Sequence, residues 1–138
     1  MRSVDSLLKL LLVSCLFFLV SCSKDKSKLV VDGNLPGTWK LSASYADIGN
    51  GQGKWTPVSE HSASLYLVTF KDNGVLEGNA YSDYSTYSVK DSVTLTFFKK
   101  DKTEQNYRFN ISNGELTMSP DGPIRCIEGC GSKFVKTK

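Results

Sequence analysis

The chain has 138 residues, a length that accommodates one domain. Its 17 basic and 14 acidic residues leave a formal net charge of +3, which is too small a surplus to indicate a nucleic-acid partner. A single histidine, His61, excludes nearly every metal or catalytic site that is built from several histidines.

The first 21 residues have the pattern of an export signal. Arg2 and Lys9 supply positive charge, and an apolar run follows at residues 10–20. As a helix this run would reach only about 16 Å, roughly half of the bilayer core. The pattern therefore predicts a signal peptide over residues 1–21 and not a membrane span.

The apolar run ends in Leu19-Val20-Ser21-Cys22, which resembles a bacterial lipobox. The same tetrapeptide also ends at Cys15, but cleavage there would shorten the apolar run and leave residues 16–20 on the mature protein. We therefore predict that Cys22 is acylated and anchors the protein to a membrane. The alternatives are an uncleaved anchor and a plain secretory signal.

Polar residues follow Cys22 at once. Because Ser23 and not aspartate comes next, analogy with lipoprotein sorting predicts the outer membrane of the cell envelope, on its periplasmic or its surface face. Residues 22–34 show no periodicity and are predicted to form the lipidated N-terminus and a flexible tether. The folded domain is predicted to span residues 35–138, which suffices for one core.

From residue 35 onwards, apolar and polar residues alternate with the period of β-strands. Roughly seven to nine strands predict an all-β domain, a sandwich or a barrel, without a substantial helix. Asn113-Gly114 predicts a tight hairpin, because both residues tolerate a positive φ. Four alternate residues are predicted to share one face of the first strand: Trp39, Leu41, Ala43 and Tyr45.

Gly37-Thr38-Trp39 resembles the signature at the start of the lipocalin barrel. Four later segments, in this order, resemble small lipocalin-like lipoproteins of Bacteroidetes: Phe70-Lys71-Asp72-Asn73-Gly74, Tyr87-Ser88-Val89, Leu95-Thr96-Phe97 and Cys126-Ile127-Glu128-Gly129-Cys130. The resemblance covers residues 36–138 and implies an antiparallel up-and-down β-barrel of about eight strands. Lipocalins also place an arginine late in the barrel against this tryptophan, for which Arg125 and Lys133 are the candidates.

The resemblance implies a binding module that holds a small apolar or amphipathic molecule inside the barrel. Its predicted lining is an inward-facing set: Leu41, Tyr66, Val68, Tyr87, Leu95, Phe97, Phe109 and Leu116. Three aromatic residues in polar stretches are predicted to rim the mouth or to stack against a sugar: Trp55, Tyr81 and Tyr84. The alternatives are a surface protein- or glycan-binding module with a filled core, and a purely structural envelope protein.

Cys126 and Cys130 are predicted to form a disulfide, because the compartment outside the inner membrane is oxidising and two nearby glycines let the chain turn. Zinc would need two further ligands, and a redox pair would more usually be Cys-x-x-Cys. A glycosidase would need two carboxylates at a spacing of about 5 or 9 Å, for which the candidates are Glu60, Glu77, Asp83 and Glu115. With no nucleophile elbow or phosphate loop, we expect no catalytic residues, metal or cofactor, and no enzyme.

Overall fold

The computed structural model describes residues 35–137, which form nine strands and one short helix. The strands are β1 (Gly37–Ala46), β2 (Lys54–Pro57), β3 (Leu67–Phe70), β4 (Leu76–Gly78), β5 (Tyr84–Val89), β6 (Thr94–Lys99), β7 (Glu104–Ser112), β8 (Glu115–Gly122) and β9 (Cys130–Lys136). The helix, α1, spans Glu60–Ala63. The predictions on the signal peptide, Cys22 and the tether fall on residues 1–34 and lie outside the described residues.

The strands form one antiparallel sheet that is nearly closed into a barrel. From β5 to β9 each strand pairs with the next, and β9 pairs with β1. The other edge of β1 pairs with β3 along Gly37–Lys40 and with β2 along Ala43–Ala46, so β2 and β3 together occupy one position in the barrel. The predicted all-β, up-and-down barrel of about eight strands without a substantial helix is confirmed.

The helix α1 is a single turn between β2 and β3. The side chain of Ser59 caps it by accepting a hydrogen bond from the backbone N–H of Ser62. Within residues 35–137, no helix is long and apolar enough to cross a bilayer.

The barrel wall is least complete between β4 and β5. Here only an isolated bridge joins Val75 to Thr86, whereas the other neighbouring strands of the barrel are joined by a ladder of hydrogen bonds. Tyr87 strengthens this seam, because its backbone N–H donates to the carbonyl of Gly74 at 2.8 Å and its hydroxyl donates to the carbonyl of Lys71 at 2.8 Å. We refer to this junction as the β4–β5 seam.

The hairpin between β7 and β8 has a two-residue turn. Asn113 and Gly114 have φ values of 52° and 76°, and Ser112 pairs with Glu115 across the turn. The tight hairpin predicted from Asn113-Gly114 is confirmed, because these two residues adopt left-handed φ at little cost.

Trp39 closes the end of the barrel at which β1 begins. It is 1% exposed, and its indole Nε1 donates to the carbonyl of Leu35 at 2.8 Å. The ammonium group of Lys136, in the last strand, lies 5.2 Å from the centre of the Trp39 ring. The prediction that Arg125 or Lys133 takes this position is wrong, since both contact other side chains.

A β-bulge in β1 reverses which residues face the interior. Leu41 pairs with the buried Phe134, but the register then shifts so that Ala43 pairs with Lys133 and Tyr45 follows on the same face. Phe134 points inward, so its neighbour Lys133 points outward. Residues paired across two strands point to the same face, and Ala43 and Tyr45 therefore lie on the outer face. The prediction that they share a face with Trp39 and Leu41 is wrong.

Candidate functional site

Side chains from almost every strand fill the interior of the barrel. The core residues that are at most 4% exposed are Leu35, Trp39, Val68, Phe70, Leu76, Leu95, Phe97, Phe109, Leu116, Met118 and Phe134. They include most of the predicted ligand-lining set, and Leu41 and Tyr87 pack against them while partly buried. These residues face inward, where they contact one another. Their contact with a ligand stays a prediction.

Tyr66 is the member of that set that does not face inward. It is 48% exposed and lies between α1 and β3, where its carbonyl accepts a hydrogen bond from the N–H of Leu41 at 3.0 Å. The strand begins only at Leu67, so the alternation counted back from Val68 does not extend to Tyr66. The prediction that Tyr66 lines the interior is wrong.

Tyr81 fills the interior at the end opposite Trp39. It belongs to the loop 79–83 between β4 and β5. Its ring centre lies 5.2 Å from that of Phe97, 5.3 Å from that of Tyr107 and 6.1 Å from that of Phe134. These contacts make Tyr81 a plug at this end of the barrel.

Tyr84 and Tyr107 complete an aromatic cluster around this plug. The ring centre of Tyr84 lies 5.7 Å from that of Phe97 and 6.5 Å from that of Tyr107. Burial raises the pKa of the Tyr81 phenol, although a hydrogen bond with Ser132 lowers it in part. Burial raises the pKa of Tyr107 as well, and the two neighbouring phenols add to that shift. The prediction that Tyr81 lies on the rim is wrong, because its ring packs into the core. Tyr84 packs against the core while partly buried and lines an open pocket of about 500 Å³, so its role at the rim stays a prediction.

The loop that carries Tyr81 is fixed at its start. The Asn79 Oδ1 accepts a hydrogen bond from the N–H of Leu67 at 2.8 Å, and its Nδ2 donates to the carbonyl of Leu65. Gly78 has a φ of 104° and passes so close to the Leu67 carbonyl that a Cβ would collide with it. These long-range contacts direct Tyr81 inward, which its polar neighbours in the sequence do not indicate.

Trp55 forms one wall of an open cleft on the outer face of the barrel. It is 38% exposed, and its ring centre lies 5.4 Å from that of Tyr45 with the two planes inclined by 50°. The Lys133 ammonium lies 4.7 Å from the centre of the Trp55 ring. The cleft, which we call the Trp55 cleft, has a volume of about 420 Å³ and is lined by Tyr45, Trp55, Ser119, Pro120, Cys126, Gly129, Cys130 and Gly131.

Gly131 of β9 makes room for Trp55. A Cβ at this position would lie 3.2 Å from the indole Cη2 and 3.0 Å from the Oγ of Ser119. The missing side chain therefore lets Trp55 lie against β9 and approach Ser119 of β8. In the sequence Gly131 was interpreted only as a turn residue. Its contact with Trp55 could not be predicted, because it forms only when β1 pairs with both β2 and β9.

The loop 123–129 forms the opposite wall of the Trp55 cleft. The predicted disulfide between Cys126 and Cys130 is confirmed, and the two Cα atoms lie 5.8 Å apart. The N–H of Asp47 donates to the carbonyl of Gly129 at 3.1 Å and so ties this loop to the end of β1. The disulfide side of the cleft is thus fixed by one covalent bond and one backbone hydrogen bond.

Gln105 fixes the beginning of the same loop. It is 2% exposed, its Nε2 donates to the carbonyl of Ile124 at 2.8 Å, and its Oε1 accepts from the N–H of Ile124 at 3.1 Å. Sequence reasoning missed this residue. Gln105 lies two residues before the inward-facing Tyr107 and four before Phe109, so the alternation along β7 indicates that it also faces inward.

The charges around the Trp55 cleft are paired with one another. Lys133 lies 2.9 Å from Glu115, and the Asp121 carboxylate lies 3.6 Å from Arg108 and 3.8 Å from Arg125. The lining residues themselves include no Asp, Glu, Lys, Arg or His. The cleft therefore presents aromatic, hydroxyl and peptide groups to a ligand, and no net charge.

The four carboxylates considered as glycosidase candidates each contact a lysine. The contacts are Glu60 with Lys40 at 2.9 Å, Glu77 with Lys71 at 3.2 Å, Asp83 with Lys99 at 3.8 Å and Glu115 with Lys133 at 2.9 Å. Among residues 35–137, no three His, Cys, Asp or Glu side chains form a group that could hold a metal ion.

Comparison of the chain with models of protein families, with curated proteins and with solved structures finds no match. The barrel-like antiparallel fold is compatible with a binding module. Among residues 35–137, the places that such a module offers for a ligand include the barrel interior, the Trp55 cleft and an open pocket of about 500 Å³ beside Tyr84 and Lys99.

Proposed function

We propose that this protein is a lipocalin-like lipoprotein of the cell envelope that acts as a binding module and binds its ligand on the outer surface of the barrel. The observation that carries this proposal is the position of Tyr81, whose ring contacts Phe97, Tyr107 and Phe134 inside the barrel. Binding, and not catalysis, is the proposed activity.

An internal ligand would have to take the place of these side chains. Small-molecule pockets are usually about 300–1,000 Å³ in volume and enclose most of the ligand. The ring of Tyr81 packs on Phe97 and Tyr107, so a ligand at this end of the interior would require Tyr81 to move out. The Trp55 cleft requires no such rearrangement, which favours the outer surface.

A second candidate function is the one that the lipocalin resemblance implies, a carrier of a small apolar or amphipathic ligand. The β4–β5 seam favours it, because Tyr81 lies on the loop that connects these two strands and they share only an isolated bridge. Outward movement of this loop would have to break the hydrogen bonds of Asn79 with Leu65 and Leu67 but no continuous ladder between β4 and β5.

Titration with a fluorescent fatty-acid analogue separates the two functions. We expect no binding to the wild-type barrel and saturable binding to Tyr81→Ala, because truncation of the ring opens an apolar cavity. Tyr81→Phe keeps the ring and serves as the matched control. Saturable binding to the wild type that Leu95→Trp abolishes would contradict the outer-surface proposal and support the carrier.

The lipid anchor is supported by the segment Leu19-Val20-Ser21-Cys22. Each buried CH₂ of an acyl chain contributes about 0.8 kcal/mol to membrane binding, so two or three chains give a stable anchor. We expect Cys22→Ser to abolish incorporation of labelled palmitate and to release the protein from membranes, and Cys15→Ser to do neither. Labelling that survives in Cys22→Ser but not in Cys15→Ser would contradict the assignment.

A further inference from the structure

We infer that the Trp55 cleft binds a pyranose ring of a neutral oligosaccharide or polysaccharide. This inference rests on the proposed function, since it names the ligand of a module that binds on its outer surface. It depends on the aromatic walls, the hydrogen-bonding groups and the charge of the cleft.

The aromatic walls suit one face of a sugar ring. The C–H bonds on a pyranose face carry slight positive charge and pack well against the negative face of an aromatic ring. Trp55 and Tyr45 stand at 50° to each other with their centres 5.4 Å apart, so they form a corner. Trp55 lies outside the core cluster and is 38% exposed, so a sugar would cover the part of the ring that Tyr45 and the Lys133 ammonium leave open.

The other lining groups suit the hydroxyls of the sugar. Ser119 offers a hydroxyl, while Gly129 has no side chain that would hide its peptide group. Beside the cleft, Lys133 and Glu115 form a donor–acceptor pair 2.9 Å apart, which matches the mixed donors and acceptors of a sugar. An apolar ligand would offer the Ser119 hydroxyl no hydrogen bond, which is unfavourable.

The charge of the cleft points to a neutral glycan. No charged residue lines it, and Asp121 next to it contacts two arginines. A polyanion such as a nucleic acid or an acidic polysaccharide would need unpaired basic side chains. The volume of about 420 Å³ lies within the range of about 300–1,000 Å³ that is usual for small-ligand sites.

The sequence provides a direct reporter for the test. The chain has two tryptophans, Trp55 in the cleft and the buried Trp39 at the far end of the barrel. In ¹H–¹⁵N NMR spectra of the purified protein, titration with cellotriose, chitotriose and mannotriose should shift the Trp55 indole signal for at least one sugar. The Trp39 signal should stay in place.

Variants then assign the binding to the cleft. Trp55→Ala should weaken the affinity at least tenfold, and Trp55→Phe should weaken it less. Tyr66→Ala removes another exposed aromatic side chain, outside the cleft, and should leave the affinity unchanged. An unchanged Trp39 signal in each variant shows that the barrel is folded.

Three results would overturn the inference. The first is that none of the three sugars shifts the Trp55 signal. The second is that a sugar binds but Trp55→Ala leaves its affinity unchanged. The third is that decaproline shifts the Trp55 signal while the sugars do not. The last result would make the cleft a peptide site. None of them contradicts the proposed binding on the outer surface, which is tested separately by entry of the fatty-acid probe into the wild-type barrel.

Discussion

The interior of the barrel and the Trp55 cleft use the same kinds of residue for different purposes. Inside, the ring of Tyr81 contacts other rings and is enclosed by the sheet. Outside, Trp55 contacts Tyr45 and Lys133 and stays 38% exposed. The interior has the packing of a core, whereas the cleft has the partial exposure of a binding surface.

The difference comes from the backbone that carries each ring. Tyr81 lies on a loop whose first residue, Asn79, is hydrogen-bonded to the beginning of β3, and this directs the ring inward. Trp55 lies on β2, all four residues of which are exposed, and it pairs with Tyr45 beyond the bulge of β1. Polar neighbours in the sequence therefore do not distinguish an aromatic residue of the core from one at a surface site.

The largest expected effect is the loss of stability in Tyr81→Ala. Removing an aromatic ring that packs inside the barrel should lower the free energy of unfolding by about 3 kcal/mol, because the cavity does not fully collapse. Tyr81→Phe should lower the free energy of unfolding by only about 1 kcal/mol, because it removes the hydrogen bond with Ser132 but keeps the ring. Urea denaturation measures both. If Trp55→Ala costs as much as Tyr81→Ala, the cleft is part of the core and the comparison fails.

A smaller effect is expected when the disulfide beside the cleft is removed. Replacing both Cys126 and Cys130 by serine should lower the free energy of unfolding by about 2 kcal/mol, because the loop that they close is short. The Trp55 indole signal should move, and that of Trp39 should not, since both cysteines line the cleft and Trp39 does not. An unchanged Trp55 signal would show that the loop does not shape the cleft.

The smallest effect is expected from alkaline pH. The folded protein holds the Tyr81 proton more tightly than the unfolded chain does, because burial raises the pKa above its ordinary value of 10.0. As the pH rises through 10 the unfolded state therefore binds fewer protons, and stability falls with a slope that approaches about 1.4 kcal/mol per pH unit for this residue. Urea denaturation at pH 9 and pH 10.5 should show a smaller loss in Tyr81→Phe. Equal losses in both proteins would mean that Tyr81 is not the group responsible.

Local patterns in the sequence were sufficient for much of the fold. The alternation that predicted the strands also predicted the inward positions of Val68, Leu95 and Phe109, all of which are buried. Asn113-Gly114 predicted its hairpin because the φ values of a tight turn depend on those two residues alone. The disulfide could be predicted because its two cysteines are only four residues apart.

Positions that depend on distant partners could not be predicted in this way. The bulge that turns Tyr45 outward is a mismatch between β1 and β9, and the cation above Trp39 comes from Lys136 at the other end of the domain. The Trp55 cleft joins β2 to a glycine of β9.

The sequence by itself determined that this chain forms an all-β antiparallel domain and most of the strand residues that face inward, because a strand's period and a turn's φ values are local properties. Only the tertiary structure decided that Tyr81 fills the barrel while Trp55 lies in an outer cleft. The reason is that strand register and loop anchoring are set by hydrogen bonds between residues far apart in the chain.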